Sequence, residues 1–154
     1  MAKRPAQPEF DRDCQDILTQ CACEALRRTS RTVTSRYQEN LRAVGITAAQ
    51  LPILVAAHLM GPVPLSPLAT QLGMDRTTLT RNLAGLQEAD LVSVDPDVDR
   101  RVRLISITPT GRRALRRATG AWREAQSHVE SAFGRERMRA LIGELEALAS
   151  VAAR

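Results

Sequence analysis

Residues 65–92 read LSPLATQLGMDRTTLTRNLAGLQEADLV, and the order of capping, small and apolar residues in this stretch decides the fold. Ser66 followed by Pro67 predicts an N-cap and first helical position, and Gly73 predicts the end of that short helix. Asp75 then predicts the N-cap of a second helix, in which Leu79, Leu83 and Leu86 recur at helical spacing and share one face. The opposite face is left with Arg76, Thr77, Thr80, Arg81 and Ala84. The expectation is two short helices joined by a tight turn, the second apolar inside and donor-rich outside.

Working outward, LVSVD and VRLISIT alternate with the period of half-buried strands and flank the charged, turn-rich PDVDRR, which predicts a β-hairpin. Thr108 and Pro109 predict the start of a helix with apolar positions Leu115, Ala118, Trp122, Ala125 and Val129. Beyond Gly134 a last helix carries Met138, Leu141, Leu145, Leu148 and Ala152. On the N-terminal side, residues 11–44 lack Pro and Gly. Their stripe of Cys23, Leu26, Ser30, Val33, Tyr37, Leu41 and Val44 predicts one long amphipathic helix ended by Gly45. Thr47 and Gln50 form a capping-box start for the next helix, which Pro52 is expected to bend and within which His58 is expected to pack.

The predicted class is mainly α with a two-stranded β-wing, a winged helix-turn-helix inside a helical framework. The chain, 1–154, reads as a single domain. Residues 47–108 form its DNA-binding module, and residues 11–44 and 109–153 its dimerisation helices. Long helices with apolar faces beside so small a module have little core of their own, so a homodimer is expected to cover them.

Composition narrows the partners. With 44% apolar and 25% charged residues the chain is an ordinary globular sequence. No apolar run approaches the roughly 18 residues of a membrane span, and no apolar h-region follows the basic N-terminus, so a cytoplasmic protein without a membrane partner is expected. A net charge of +5 suits a polyanion, because each cation set on a phosphate releases counterions. Enzyme chemistry is not expected: His58 and His128 are the only histidines and stand in no metal or nucleophile motif, and no Gly-rich phosphate loop occurs.

A helix roughly 10 Å across fits the major groove of double-stranded DNA, and its outer face must offer donors to base edges and phosphates. Arg76, Thr77, Thr78, Thr80 and Arg81 supply that face, with Ser66 at the head of the preceding helix as a further contact. At the hairpin tip, Arg100 and Arg101 suit the narrow, electronegative minor groove, with Asp99 holding one of them in place.

The order of these segments resembles the MarR family of bacterial transcriptional regulators. The likeness runs from GITAAQLPILVAAH through LSPLATQLGMDRTTLTRNLAGLQEADLV to DVDRRVRLISITPTGRRAL. It implies a homodimer whose first and last helices interlock, placing two recognition helices in successive major grooves of a pseudo-palindromic operator, most simply as a repressor.

Cys14, Cys21 and Cys23 are the only cysteines and fall within ten residues. In one unbroken helix Cys14 and Cys21 lie about 10 Å apart along the axis, and Cys21 and Cys23 point about 200° apart. No pair then bridges and no three bind one ion. Either a second chain contributes, or the helix unwinds near its start, or each thiol acts alone. Inert packing of a small apolar side chain is the plain alternative.

The run ILTQCACEALRRTSRTVTSRY is similar to the thiol-sensing organic hydroperoxide regulators of the same family. That resemblance implies Cys23 as the reactive thiol and Tyr37 as a hydrogen-bond partner to the other chain's Cys23, since the two lie about 21 Å apart along one helix. Glu24, Arg27 and Ala48 depart from the aromatic residues of those sensors. The expected function is a dimeric repressor controlled by thiol oxidation. The alternatives are a soft metal or metalloid ion (arsenite, copper or zinc) held by Cys14, Cys21 and Cys23, or structural cysteines with a small-molecule effector.

Overall fold

The computed structural model describes residues 8–96 and 102–152. In chain order these form α1 (Pro8–Thr19), α2 (Ala22–Arg42), α3 (Leu51–Met60), β1 (Val63–Pro64), α4 (Leu65–Leu72), α5 (Arg76–Glu88), β2 (Val92–Pro96), β3 (Arg103–Ile107), α6 (Pro109–Phe133) and α7 (Arg135–Ala152). The chain divides into two compact units between Arg36 and Tyr37, inside α2.

The first unit corrects the expectation of one unbroken helix over residues 11–44. The last bond of α1 runs from Gln20 N–H to the Asp16 carbonyl (2.7 Å), and the first of α2 from Ala25 N–H to the Cys21 carbonyl (3.0 Å), with Gln20 and Cys21 outside both helices. No Pro or Gly causes the break. Thr19 turns its hydroxyl back onto the Gln15 carbonyl (2.8 Å), a bond that bends helices, and Thr and Cys are poor helix formers. The Gln20 amide then closes on Asp16 Oδ1 (2.7 Å). Of the three routes left open for the thiols, the helix does unwind near its start.

In the second unit the core gathers Leu41, Ile46, Ile53, Leu54, Leu68, Leu79, Leu86 and Ile105, all fully buried. Gln38 holds the end of α2 in place: its Oε1 accepts from Ala48 N–H (2.8 Å) and its amide donates to the Ile46 carbonyl (3.4 Å). The Thr47–Gln50 capping box forms reciprocally, Gln50 N–H on Thr47 Oγ1 (3.1 Å) and Thr47 N–H on Gln50 Oε1 (3.0 Å). Pro52 stands in the first turn of α3, where its missing N–H costs nothing, so its expected role as a bend is not needed. His58 is exposed rather than packed within the helix.

The hairpin pairs as expected, Val92 with Ile107 through Pro96 with Arg103. The sheet has three strands, one more than predicted, in the order β1-β3-β2. Val63 and Pro64 pair with Ile105 and Leu104. Proline is tolerated there because β1 is an edge strand. Pro64 is also the residue that caps α4, so Ser66 lies inside that helix instead of at its N-cap. Gly73 ends α4 in the left-handed region (φ 59°), as its position predicts.

One junction fixes the rest. Asp90, the only non-glycine with positive φ among the described residues (54°), follows α5, and Leu91 N–H reaches back to the Leu86 carbonyl (2.8 Å). Thr108 caps α6 by accepting from Gly111 N–H (2.8 Å) and donates its hydroxyl to the Asp90 carbonyl (2.7 Å). Thr110 donates to the Asp90 carboxylate (3.0 Å). Gly111 sits so close to Leu91 that a Cβ there would stand 2.0 Å from the carbonyl oxygen. The ITPTG run is thus the corner where α5, β2 and α6 meet.

Tyr37 donates its hydroxyl to Gln126 Oε1, Gln126 donates to Glu130 Oε1 (2.9 Å), and Glu130 pairs with Arg135 (3.2 Å). Burial, and secondly the Glu130 carboxylate, raise the Tyr37 phenol above its usual pKa, so it stays protonated and donating. No residue of α7 is fully buried within its own chain: Leu141, Ile142, Leu145 and Leu148 remain 38%, 48%, 38% and 41% exposed.

Candidate nucleic-acid interface

α5 begins at Asp75, whose Oδ1 accepts from Thr78 N–H (2.8 Å) and whose Oδ2 accepts from the Thr78 hydroxyl (2.6 Å). These bonds, the Thr78 side chain first, hold the Asp75 carboxyl below its ordinary pKa. Thr78, predicted from sequence as a DNA contact, therefore has its donor committed to the cap. Its carbonyl in turn receives Asn82 Nδ2 (2.9 Å).

The inner face of α5 is Leu79, Leu83 and Leu86, all buried. Directly opposite, Arg76, Thr77, Thr80, Arg81 and Ala84 are exposed and line an open depression along the helix. The burial of the leucines is what aims this face outward: the core fixes the rotation of the helix about its own axis. Thr80 donates to the Arg76 carbonyl (2.7 Å), leaving its oxygen as an acceptor. Neither Arg76 nor Arg81 pairs with a carboxylate of a described residue, so both guanidinium groups keep their donor edges for an external acceptor. Ala84 leaves the middle of the face low enough for close approach.

Ser66 is exposed at the start of α4, and its carbonyl accepts from Thr70 (3.1 Å). Asp99, Arg100 and Arg101 lie outside the described residues. Arg103, at the described end of the hairpin, is exposed and paired in register with Pro96. It was not singled out from the sequence, because the alternation of VRLISIT gives it the same face as the buried Ile105, and it is exposed at the far end of the strand.

The thiols lie apart from this face in sequence. Cys14 on α1 and Cys23 at the second position of α2 are exposed, and Cys21, at the break, is half-buried. All three are free. Among the described residues no three Cys, His, Asp or Glu side chains gather where they could hold a metal ion. Tyr37, expected to serve a thiolate, is engaged with Gln126 of its own chain. No described helix is long and apolar enough to cross a membrane.

A family profile described as MarR family matches residues 46–102, from Ile46 through the helix-turn-helix and most of the hairpin. The M. tuberculosis transcriptional regulator MosR, solved in complex with DNA, is 36% identical over 86% of this chain and 98% of that one, with a TM-score of 0.76. A second MosR structure gives 34% identity over 87% and 98%, at 0.75. The transcriptional repressor CouR, bound to a 23-mer DNA duplex, shares the fold at TM-score 0.79 with 24% identity, over 86% of this chain and 95% of that one. No curated protein matches the chain.

Proposed function

Because this chain belongs to the MarR family, and so to a class of DNA-binding transcriptional regulators, we propose that it works as a homodimeric repressor that reads a pseudo-palindromic operator through α5 and is released by oxidation of its N-terminal thiols. The observation that carries the DNA reading is the outward face of α5, with Arg76 and Arg81, unpaired with any described carboxylate, set opposite three buried leucines.

In this reading α5 enters the major groove, Arg76, Thr77, Thr80 and Arg81 meet base edges and phosphates, and Arg100 and Arg101 enter the adjoining minor groove with Asp99 in support. Ser66 is placed to meet the backbone. Two roles are separable by measurement. Arg81→Ala is expected to weaken binding about tenfold or more on a selected operator and to flatten the preference for it over random duplex. Arg101→Ala is expected to weaken both duplexes alike and to reduce the slope of log affinity against log salt by about 1.8, one phosphate contact of about 0.9 lost from each of the two subunits. Equal losses for Arg81→Ala on the two duplexes would make that side chain a phosphate contact only.

The thiol reading is supported by the break at Gln20–Cys21, which removes the constraint that an unbroken helix places on the cysteines, and by the exposure of Cys14 and Cys23. A thiolate attacks a hydroperoxide, giving a sulfenic acid and an alcohol, and a second thiol displaces water to form a disulfide, within one chain or between two. For Tyr37 to assist a partner's Cys23 it has to exchange Gln126 for the thiolate. Hydroperoxide is expected to lower operator affinity at least tenfold, reversibly with dithiothreitol, and Cys23→Ser to abolish the response. Unchanged binding by fully oxidised protein would reject thiol control. A soft metal or metalloid would have to draw its thiolates from two chains, since the described residues of one gather no three donors.

A further inference from the structure

Between Pro109 and Arg123, α6 carries Arg112, Arg113, Arg116, Arg117 and Arg123 and not one carboxylate. That local charge of +5 equals the net charge of the whole chain. All five side chains are exposed, and none pairs with a carboxylate of a described residue. Arg112 and Arg113 bond only to the Ile107 carbonyl (3.0 Å) and Thr110 Oγ1 (3.1 Å), and Arg123 to the Thr119 carbonyl (3.3 Å). At about 100° per residue, Arg112, Arg116 and Arg123 fall within roughly 40° of one another, with Arg113 and Arg117 beside them. Ala114, Leu115, Ala118 and Ala125 occupy the buried side opposite.

This pattern runs against the stability of the helix that bears it. Arg112 with Arg116, and Arg113 with Arg117, are like charges four apart, and the cluster occupies the N-terminal half, where the helix dipole favours anions. α6 has no acidic residue in its first turn and no basic one in its last. An external polyanion along this face would relieve both the mutual repulsion and the unfavourable dipole.

We propose that the arginine face of α6 binds the sugar-phosphate backbone of duplex DNA flanking the operator, so that DNA leaving the wing bends back against the side of the protein. The proposal rests on the reading of α5 and the hairpin as the operator contacts. β3 runs roughly 14 Å from Arg103 to Ile107 and leads directly into α6, so the face starts beyond the reach of a straight operator and continues about 16 Å from Arg112 to Arg123. Duplex DNA presents about nine charges over that length. Trp122 is the one aromatic residue on this stretch, about 100° around the helix from Arg123, and a single ring offers no succession of stacking platforms for unpaired bases, which favours a duplex backbone over a single strand.

The test uses the full-length protein and a duplex that it selects from a random pool, prepared with minimal ends and with about 15 extra base pairs on each side, a length chosen to span more than one turn per flank. The long duplex is expected to bind at least tenfold tighter at low salt, with a steeper salt slope. The double variant Arg116→Gln with Arg117→Gln is expected to reduce the slope by about 3.6 on the long duplex, two phosphate contacts of about 0.9 lost from each of the two subunits, and to leave the short one unchanged. Neither side chain bonds to a described residue, and unaltered short-duplex binding reports an intact fold. Equal wild-type slopes on the two lengths, or a variant indistinguishable on the long one, would overturn the proposal and leave a solvated face. Failure of the wild type to bind even the short duplex would remove the operator reading, and this inference with it.

Discussion

Gly111→Ala is expected to destabilise the protein by about 3 kcal/mol, the upper end of what overpacking a filled site costs. The added Cβ would lie 2.0 Å from the Leu91 carbonyl oxygen, 2.9 Å from the Leu91 carbonyl carbon and 2.9 Å from Ile107 Cγ1. The carbonyl has no room to retreat: it accepts from Thr108 N–H (3.2 Å), while Leu91 N–H is tied to the Leu86 carbonyl (2.8 Å). Alanine in place of helical glycine ordinarily gains up to about 1 kcal/mol, so the clash has to outweigh a favourable term. Gly120 supplies the control. It lies in the same helix, nothing stands within 4 Å of its built Cβ, and Gly120→Ala is expected to be neutral or stabilising by up to about 1 kcal/mol. Thermal denaturation followed by circular dichroism separates the two, with a fall of roughly 6–12 °C for the first and no fall for the second. Equal midpoints would mean that the close approach at Leu91 does not exist.

The pair Leu145→Asp with Leu148→Asp is expected to convert the proposed dimer to a folded monomer and to lower operator affinity by more than a hundredfold. No residue of α7 is fully buried within its own chain, so both substitutions fall on surface positions and cost little in the isolated subunit. Each leucine covered by a second copy contributes roughly 1.5–3 kcal/mol to association, and two buried carboxylates would cost more than that. Affinity falls so far because each half-site contact is weak alone, and linkage of two through the dimer supplies the effective concentration. Native mass spectrometry and circular dichroism read the two outcomes separately. A wild-type protein that runs as a monomer would contradict the dimer outright, and loss of helical signal in the variant would assign α7 to the subunit's own core.

What was legible in the sequence was whatever a short run of residues decides by itself. The leucine stripe of α5, its Asp75 cap, the glycine at the end of α4 and the Thr108 cap of α6 are each set by local periodicity or by one hydrogen bond. The misses were tertiary or weakly signalled. β1 is two residues long and exists only because β3 offers an edge, so nothing in GPVPLS announces it, and the strand in turn moves the cap of α4 from Ser66 to Pro64. The interruption at Gln20–Cys21 carries no Pro or Gly, so nothing in the local sequence marks it as a helix end. Thr78 looked like one more outward donor, yet its hydroxyl is held by Asp75. His58 was placed among apolar neighbours in sequence but falls on the exposed side of α3.

Asp90 has a mechanical consequence. Its backbone and carboxylate join the end of the reading helix, the first strand of the ribbon and the foot of α6 at one hub, through bonds of 2.7 and 3.0 Å to Thr108 and Thr110. A lever pinned in this way does not bend in the middle, so helix and ribbon cannot be re-aimed independently. In the proposed dimer, a signal that releases the operator would have to swing them together, and the quantity it changes would be the separation of two such lobes, not the shape of either.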